Sequence, residues 1–156
     1  MRQALELIAS IVICELVGVI GGLFTAPAIA TWYNLLRKPS FNPPAWVFGP
    51  VWTALYAMMA AAAWLVWLRA GGRGAAGALA FYGLQLALNV AWSGLFFGLR
   101  LPGAAFVEIL VLWAAIAATT VAFSRHSAAA AVLMLPYLAW STFAAFLNFA
   151  IWRLNV

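Results

Sequence analysis

Charged side chains are scarce in this sequence: only 7% of the 156 residues are charged, while 68% are hydrophobic. A soluble domain needs roughly 25–35% charged residues on its surface, so this composition excludes one. Long apolar runs dominate the chain instead. The sequence therefore predicts an all-α membrane protein in which residues 1–156 form one integral, multi-pass domain.

Residue types that carry out reactions are equally scarce. The single cysteine, Cys14, excludes an internal disulfide, and the single histidine, His126, falls in a short polar segment where an interfacial, solvated side chain is expected. No cluster of His, Cys, Asp and Glu has metal-ligand spacing, and neither a nucleophile elbow nor a phosphate-binding glycine loop is present. The residues therefore predict no catalytic site, no metal and no required cofactor.

The net charge of +5 comes from basic residues that stand at the ends of apolar runs. This placement is typical of anchors at the membrane interface and does not indicate a nucleic-acid partner. The basic residues divide equally between the two ends of the predicted bundle, so they do not orient the protein in the bilayer. They are Arg2, Arg69, Arg73 and Arg125 at one end, and Arg37, Lys38, Arg100 and Arg153 at the other.

Apolar runs of about 20 residues, long enough to cross a bilayer, predict five helices. Their expected bounds are about 5–24, 44–68, 75–98, 103–123 and 128–152. The short connections make consecutive helices antiparallel neighbours. A cleaved signal peptide ending near residue 30 is the alternative for the first run, but that run is too long and contains Glu15.

The first connection, about 25–43, is long enough to form a structured loop that caps one end of the bundle. Pro39, Pro43 and Pro44 should fix its backbone where the second helix begins. Pro50 is expected to lie deeper in that helix, where it would remove one hydrogen bond and bend the axis.

Small residues at four-residue spacing mark faces where helices in a membrane can approach closely. Such residues recur on the first helix at Gly18 and Gly22, and on the third from Ala76 to Gly94. We expect a homodimer through one of these two helices, although both patterns also suit packing within one chain.

Aromatic residues are abundant: the chain has 9 Trp, 11 Phe and 4 Tyr. Trp52, Trp92 and Trp140 lie inside the spans, close in sequence to polar residues such as Asn89. Flat apolar faces with a few polar groups are typical of a pocket for a planar hydrophobic ligand. Two alternatives remain open from the residues alone: the tryptophans fill the core, and Asn89 and Asn148 form hydrogen bonds between helices.

Three segments closely resemble the TspO/MBR family of tryptophan-rich sensory and translocator proteins, whose animal members are the peripheral benzodiazepine receptors. They are "WYNLLRKPSFNPPAWVFGPVWTALY" (Trp32 to Tyr56), "QLALNVAWSGLFFG" (Gln85 to Gly98) and "LPYLAWSTFAAFLNFAIWRLN" (Leu135 to Asn155). The resemblance implies a five-transmembrane-helix bundle, often dimeric, with a cavity beneath the first loop. It also implies that the ligands are porphyrins and other tetrapyrroles, drug-like isoquinolines and benzodiazepines, and in animals cholesterol.

Carried over by motif, the resemblance implies a set of ligand-binding residues. They are Tyr33, Pro43, Trp46, Trp52, Asn89, Trp92, Trp140, Phe143, Ala144 and Asn148. Trp52 and Trp140 would stack on a tetrapyrrole, Asn89, Asn148 and Tyr33 would bind its polar groups, and Arg37 and Lys38 could meet its propionates. The sterol-associated pattern of animal members is incomplete, because Phe149 replaces its tyrosine.

The leading expectation is thus a membrane protein that binds tetrapyrroles for sensing, sequestration or transport. One alternative is light- and oxygen-dependent degradation of a bound porphyrin, with Trp52 or Trp140 as the oxidisable neighbour. Another is a small proton-coupled transporter that uses Glu15 or Glu108, for which carboxyls that hold helices together are the plainer interpretation.

Overall fold

The computed structural model describes residues 1–71 and 73–156, and its regular elements in that part of the chain are all helical. Five of the helical segments are long and apolar enough to cross a membrane, which confirms the predicted five-helix membrane fold. The main helices are α1 (Arg2–Ala28), α2 (Phe48–Ala70), α3 (Ala76–Ser93), α4 (Pro102–Ser124) and α5 (Ala128–Leu154). Short π-helical or 3-10 segments adjoin them at Ile29–Tyr33, Ala45–Val47, Arg73–Ala75 and Gly94–Gly98.

The helix ends follow local chemistry. Gly71 closes α2 in the left-handed conformation (φ 65°), which glycine adopts without strain, and its N–H bonds to the Trp67 carbonyl. Pro102 occupies the first turn of α4, where its missing N–H has no helical partner to lose. The Ser127 hydroxyl accepts a hydrogen bond from the Ala130 N–H and so caps the start of α5.

The first connection is shorter than predicted. The sequence places its start at residue 25, but α1 continues through Pro27, and the π-helical segment Ile29–Tyr33 prolongs it. Pro27 removes only its own N–H from the helix, while the hydroxyl of Thr31 donates to the Pro27 carbonyl over 2.8 Å. The non-helical loop therefore covers only about residues 36–44.

The expected bend at Pro50 is a second prediction that the structure corrects. The segment Ala45–Val47 is a 3-10 turn, and the α-helix begins only at Phe48. Pro50 therefore lies in the first turn of α2, where the backbone N–H groups of a helix have no partner. The proline therefore does not interrupt the helix.

The helices pack in the order α1, α2, α5, α4, α3 around the bundle, and α1 closes the ring by touching α3. One end carries the loop 36–44, the turn 99–101 and the C-terminus, and is termed the first-loop end. The larger of the two clusters of buried apolar residues extends toward the opposite end, where Met59, Val66, Phe123 and Met134 are fully buried. This distribution leaves space between the helices near the first-loop end.

Candidate functional site

A cavity of about 380 Å³ occupies that space. Its walls come from α1 and its π-helical extension, the start of α2, the end of α3 and the second half of α5, whereas α4 contributes no lining residue among those described. Two of the prolines that lie within helices, Pro27 of α1 and Pro50 of α2, are at the level of these walls. The cavity is thus built at the end where the regular helices start or give way to π-helical turns.

Most of the residues expected from the sequence to bind a ligand meet in this cavity. Those that line it are Tyr33, Trp52, Asn89, Trp92, Trp140, Phe143, Ala144 and Asn148. They come from four separate helical segments, and only the folded bundle brings them together.

Pro43 and Trp46 do not line the cavity. The side chain of Trp46 is 75% exposed on the 3-10 turn before α2, and Pro43 lies in the loop, where its carbonyl accepts a hydrogen bond from the Asn42 amide. The 3-10 turn explains the difference, because it directs Ala45 and Phe48 to the cavity and Trp46 away from it.

Sequence reasoning missed the wall that α1 provides. Glu15, Gly18 and Gly22 all line the cavity, and their spacing places them on one face of the helix. In the sequence, the Gly18 and Gly22 pair indicates only a packing or dimerisation motif. Phe48, Phe96 and Phe97 also line the cavity without having been expected.

Several aromatic rings line the cavity on the walls formed by α2 and α5. Trp52 contacts the rings of Tyr56 and Tyr137 at centroid distances of 5.6 and 6.1 Å. Trp140 lies 6.2 Å from Phe48 and 5.4 Å from Phe143. Both indoles are half-buried, so each presents ring surface to the cavity.

A polar network crosses the bundle at the inner end of the cavity, the end farther from the first loop. The Tyr56 hydroxyl donates to Asn89 Oδ1 over 2.6 Å, and Asn89 Nδ2 donates to the Tyr137 hydroxyl over 2.9 Å. All three side chains are almost fully buried. Asn89 therefore joins α2, α3 and α5, which is the interhelical role that the sequence left open for it.

Asn148 has a similar role nearer the first-loop end. The Trp92 indole N–H donates to Asn148 Oδ1 over 3.0 Å, and Asn148 Nδ2 donates to the Pro102 carbonyl over 2.8 Å. These bonds connect α5 with α3 and with the start of α4. The amide groups of Asn89 and Asn148 thus line the cavity while they hold its walls in place.

The first loop is ordered at the mouth of the cavity. The Tyr33 hydroxyl donates to Asn42 Oδ1 over 2.7 Å, and the Lys38 ammonium lies 4.7 Å from the centre of the Tyr33 ring. The ring of Phe41 meets that of Phe143 at 6.3 Å. The loop therefore covers the mouth through contacts to residues that line the cavity.

The two carboxyls inside the spans differ in position. Glu15 lines the cavity, whereas Glu108 on α4 does not. Both carboxyl oxygens of Glu108 are buried without a hydrogen-bond partner among the described residues. Within that same part of the chain, no group of His, Cys, Asp and Glu could hold a metal ion.

Comparison with known proteins agrees with the resemblance seen in the sequence. The TspO/MBR family matches residues 10–153 of the chain. A tryptophan-rich protein TspO from Chlorobaculum tepidum is 41% identical over 155 residues, which cover 99% of this chain and 98% of that protein. The human translocator protein is 46% identical over 138 residues, covering 87% of this chain and 82% of the relative.

A tryptophan-rich sensory protein from Cereibacter sphaeroides is also 46% identical, over 124 residues that cover 80% of this chain and 77% of the relative. The family match extends into all five membrane-spanning helices and over the cavity between them. The chain therefore belongs to the TspO/MBR family and is an integral, multi-pass membrane protein with a sensory or transport role.

Proposed function

We propose that this protein binds planar, hydrophobic tetrapyrroles of the porphyrin or haem type in its cavity, in order to sense, sequester or transport them. The observation that carries the proposal is the pair of half-buried indoles, Trp52 and Trp140, on the adjacent walls α2 and α5. A macrocycle offers large flat faces, and stacking on aromatic rings is favourable beyond the burial of apolar area.

The size and openness of the site also support a planar ligand. The cavity volume of about 380 Å³ lies in the range of small-molecule sites. The lining residues Val19 on α1, and Gly49 and Thr53 on α2, are all exposed. The cavity thus opens between α1 and α2, so one edge of a macrocycle can project outward from the enclosed volume.

The charge at the mouth suits the acidic substituents of a porphyrin. The ammonium of Lys38 lies over Tyr33, which lines the cavity, and Arg37 is its exposed neighbour in the loop. Charge-assisted hydrogen bonds from such groups to a carboxylate are stronger than neutral ones. A tetrapyrrole with its propionates at the first-loop end would place them near these two cations.

Titration of the protein in nanodiscs with protoporphyrin IX, followed by quenching of tryptophan fluorescence, tests the proposal. Replacing Trp52 and Trp140 together by leucine, which cannot stack, should weaken binding roughly tenfold, because each lost stack contributes about 0.5–1.5 kcal/mol. Trp113→Leu is the matched control, since Trp113 lies on α4 outside the cavity and bonds to Thr142. Equal affinity of the wild type and the double variant would refute the proposal.

We also propose a homodimer that forms through α3. Ala76, Ala80, Gly83, Ala87 and Ala91 follow one face of this helix, and all are exposed. Gly18 of α1, by contrast, packs inside the chain against Tyr56. Gly83→Leu combined with Ala87→Leu should convert cross-linked dimers to monomers, whereas Ala104→Leu on the exposed surface of α4 should not. Persistence of dimers in the double variant would exclude this face.

A further inference from the structure

The polar groups that line the cavity differ in whether the protein satisfies them. The phenol of Tyr33 donates to Asn42, the amide of Asn89 connects two tyrosines, and the amide of Asn148 is held by Trp92 and Pro102. The Glu15 carboxyl also lines the cavity, but it takes part in no hydrogen bond or ion pair within residues 1–71 and 73–156. It is the acidic group of the cavity that is left to a ligand.

Among the described residues, no cation stands close enough along α1 to compensate this carboxyl. Arg2 pairs with Glu6, and at a rise of ~1.5 Å per residue it lies about 20 Å from Glu15 along the helix. Lys38 lies beside Tyr33 at the mouth, and Tyr33 is about 27 Å from Glu15 along the helical run, by the same rise. A carboxyl in apolar surroundings gains most from a partner when none is supplied by the protein.

Glu15 also has a defined place in the cavity. Gly18, one turn after it on the same face, touches the Tyr56 ring, and the Tyr56 hydroxyl marks the inner polar network. Glu15 therefore lies at the inner end of the cavity, while Lys38 stands at the opposite, first-loop end. The cavity therefore has a carboxyl at its inner end and an ammonium group at its mouth.

We infer that Glu15 determines ligand specificity: it favours planar ligands that carry a positive charge or an N–H donor on the edge inserted first. The inference rests on the proposed function, because it describes the ligand class of the same cavity. A cationic or N–H-bearing edge forms a charge-assisted hydrogen bond with the carboxyl. An acidic edge is repelled by the Glu15 carboxyl, so it is favoured at the mouth, near Lys38.

Two fused tricyclic probes of similar size and opposite charge test this inference without a tetrapyrrole. The protein in phosphatidylcholine nanodiscs is titrated with the cation aminoacridine and with the anion anthracene carboxylate. A charged hydrogen bond contributes enough for the wild type to favour the cation at least roughly tenfold. Glu15→Gln should bring the ratio of the two dissociation constants close to one, whereas Glu108→Gln, which alters a carboxyl outside the cavity, should leave the ratio unchanged.

The ratio of the two dissociation constants is insensitive to partial misfolding, because inactive protein affects both titrations equally. A wild type without preference for the cation, or a preference that survives in Glu15→Gln, would overturn the inference. Protoporphyrin IX is titrated in parallel, so that the test of Glu15 is separated from the test of tetrapyrrole binding. Failure of protoporphyrin to bind, together with a preference that depends on Glu15, would refute only the tetrapyrrole proposal; normal porphyrin binding without that preference would refute only the role of Glu15.

Discussion

Gly18 on α1 lies directly against the ring of Tyr56 on α2: a Cβ atom added to Gly18 would stand 2.6 Å from Cε2 and 2.7 Å from Cδ2 of that ring. No other residue type fits at this distance without movement of the ring. Tyr56 cannot move freely, because its hydroxyl donates to the buried Asn89. The absence of a side chain at Gly18 therefore fixes the approach of α1 to the inner end of the cavity.

Gly18→Ala should lower the free energy of unfolding by about 1–3 kcal/mol, the usual cost of overpacking a closely packed site. Thermal unfolding in detergent measures the effect. Gly77→Ala is the matched control, because no heavy atom lies within 4 Å of a Cβ added to Gly77, which is exposed on α3. That control should be as stable as the wild type or slightly more stable. An unchanged melting temperature for Gly18→Ala would show that the ring yields without cost.

Asn89→Ala should destabilise the bundle, because the hydroxyls of Tyr56 and Tyr137 lose their partner in a buried position. Each unsatisfied group costs about 1–3 kcal/mol. A double-mutant cycle with Tyr56→Phe is the sharp measurement. Tyr56→Phe should destabilise the wild type measurably but have little effect when Asn89 is already alanine, and additive effects would contradict the network.

Gly22→Leu should obstruct the cavity without disturbing the fold. Gly22 lines the cavity on α1, and a Cβ added there meets no heavy atom within 4 Å. The larger side chain should weaken the binding of protoporphyrin IX roughly tenfold, about 1.4 kcal/mol, while the melting temperature stays close to that of the wild type. Ala104→Leu on α4 adds similar bulk outside the cavity and should leave the affinity intact. Normal affinity of Gly22→Leu would place the ligand elsewhere.

Asn155→Ala should loosen the first loop. The Arg37 N–H donates to Asn155 Oδ1 over 3.0 Å, and Asn155 Nδ2 donates to the Arg37 carbonyl over 2.9 Å. With these two bonds removed, each contributing about 0.5–1.5 kcal/mol, trypsin should cut after Arg37 roughly tenfold faster. Asn34→Ala changes an exposed residue of the same region and serves as the control. Equal cleavage rates of Asn155→Ala and the wild type would show that the loop is held by other contacts.

The five spans were predictable because the bilayer imposes a length and an apolar composition that can be read locally. Most of the lining residues were also expected, since Trp52, Asn89 and Trp140 combine aromatic and polar chemistry within spans. The extent of α1 was not expected. Proline normally ends a helix, but Pro27 lies within α1, where it removes only one N–H from the backbone ladder.

Pro43 and Trp46 illustrate a different limit. Both belong to the segment that resembles the family most closely, yet the direction of their side chains depends on a single 3-10 turn before α2. Such a turn rotates side chains relative to a regular helix, and nothing in the order of the residues shows where it ends. The backbone conformation therefore decides whether each of these side chains points toward the cavity, and the motif alone does not show it.

The sequence by itself determined the membrane environment, the number of spans and the aromatic character of the site, because these follow from local composition. Only the tertiary structure decided that α1 and its Glu15 form a wall of the cavity, and that Asn89 and Asn148 are held by hydrogen bonds to neighbouring helices. The physical reason is that lipid-facing and buried surfaces are equally apolar in such a helix. The hydrophobic pattern therefore does not reveal which face points inward, and only the packing of one helix against another defines it.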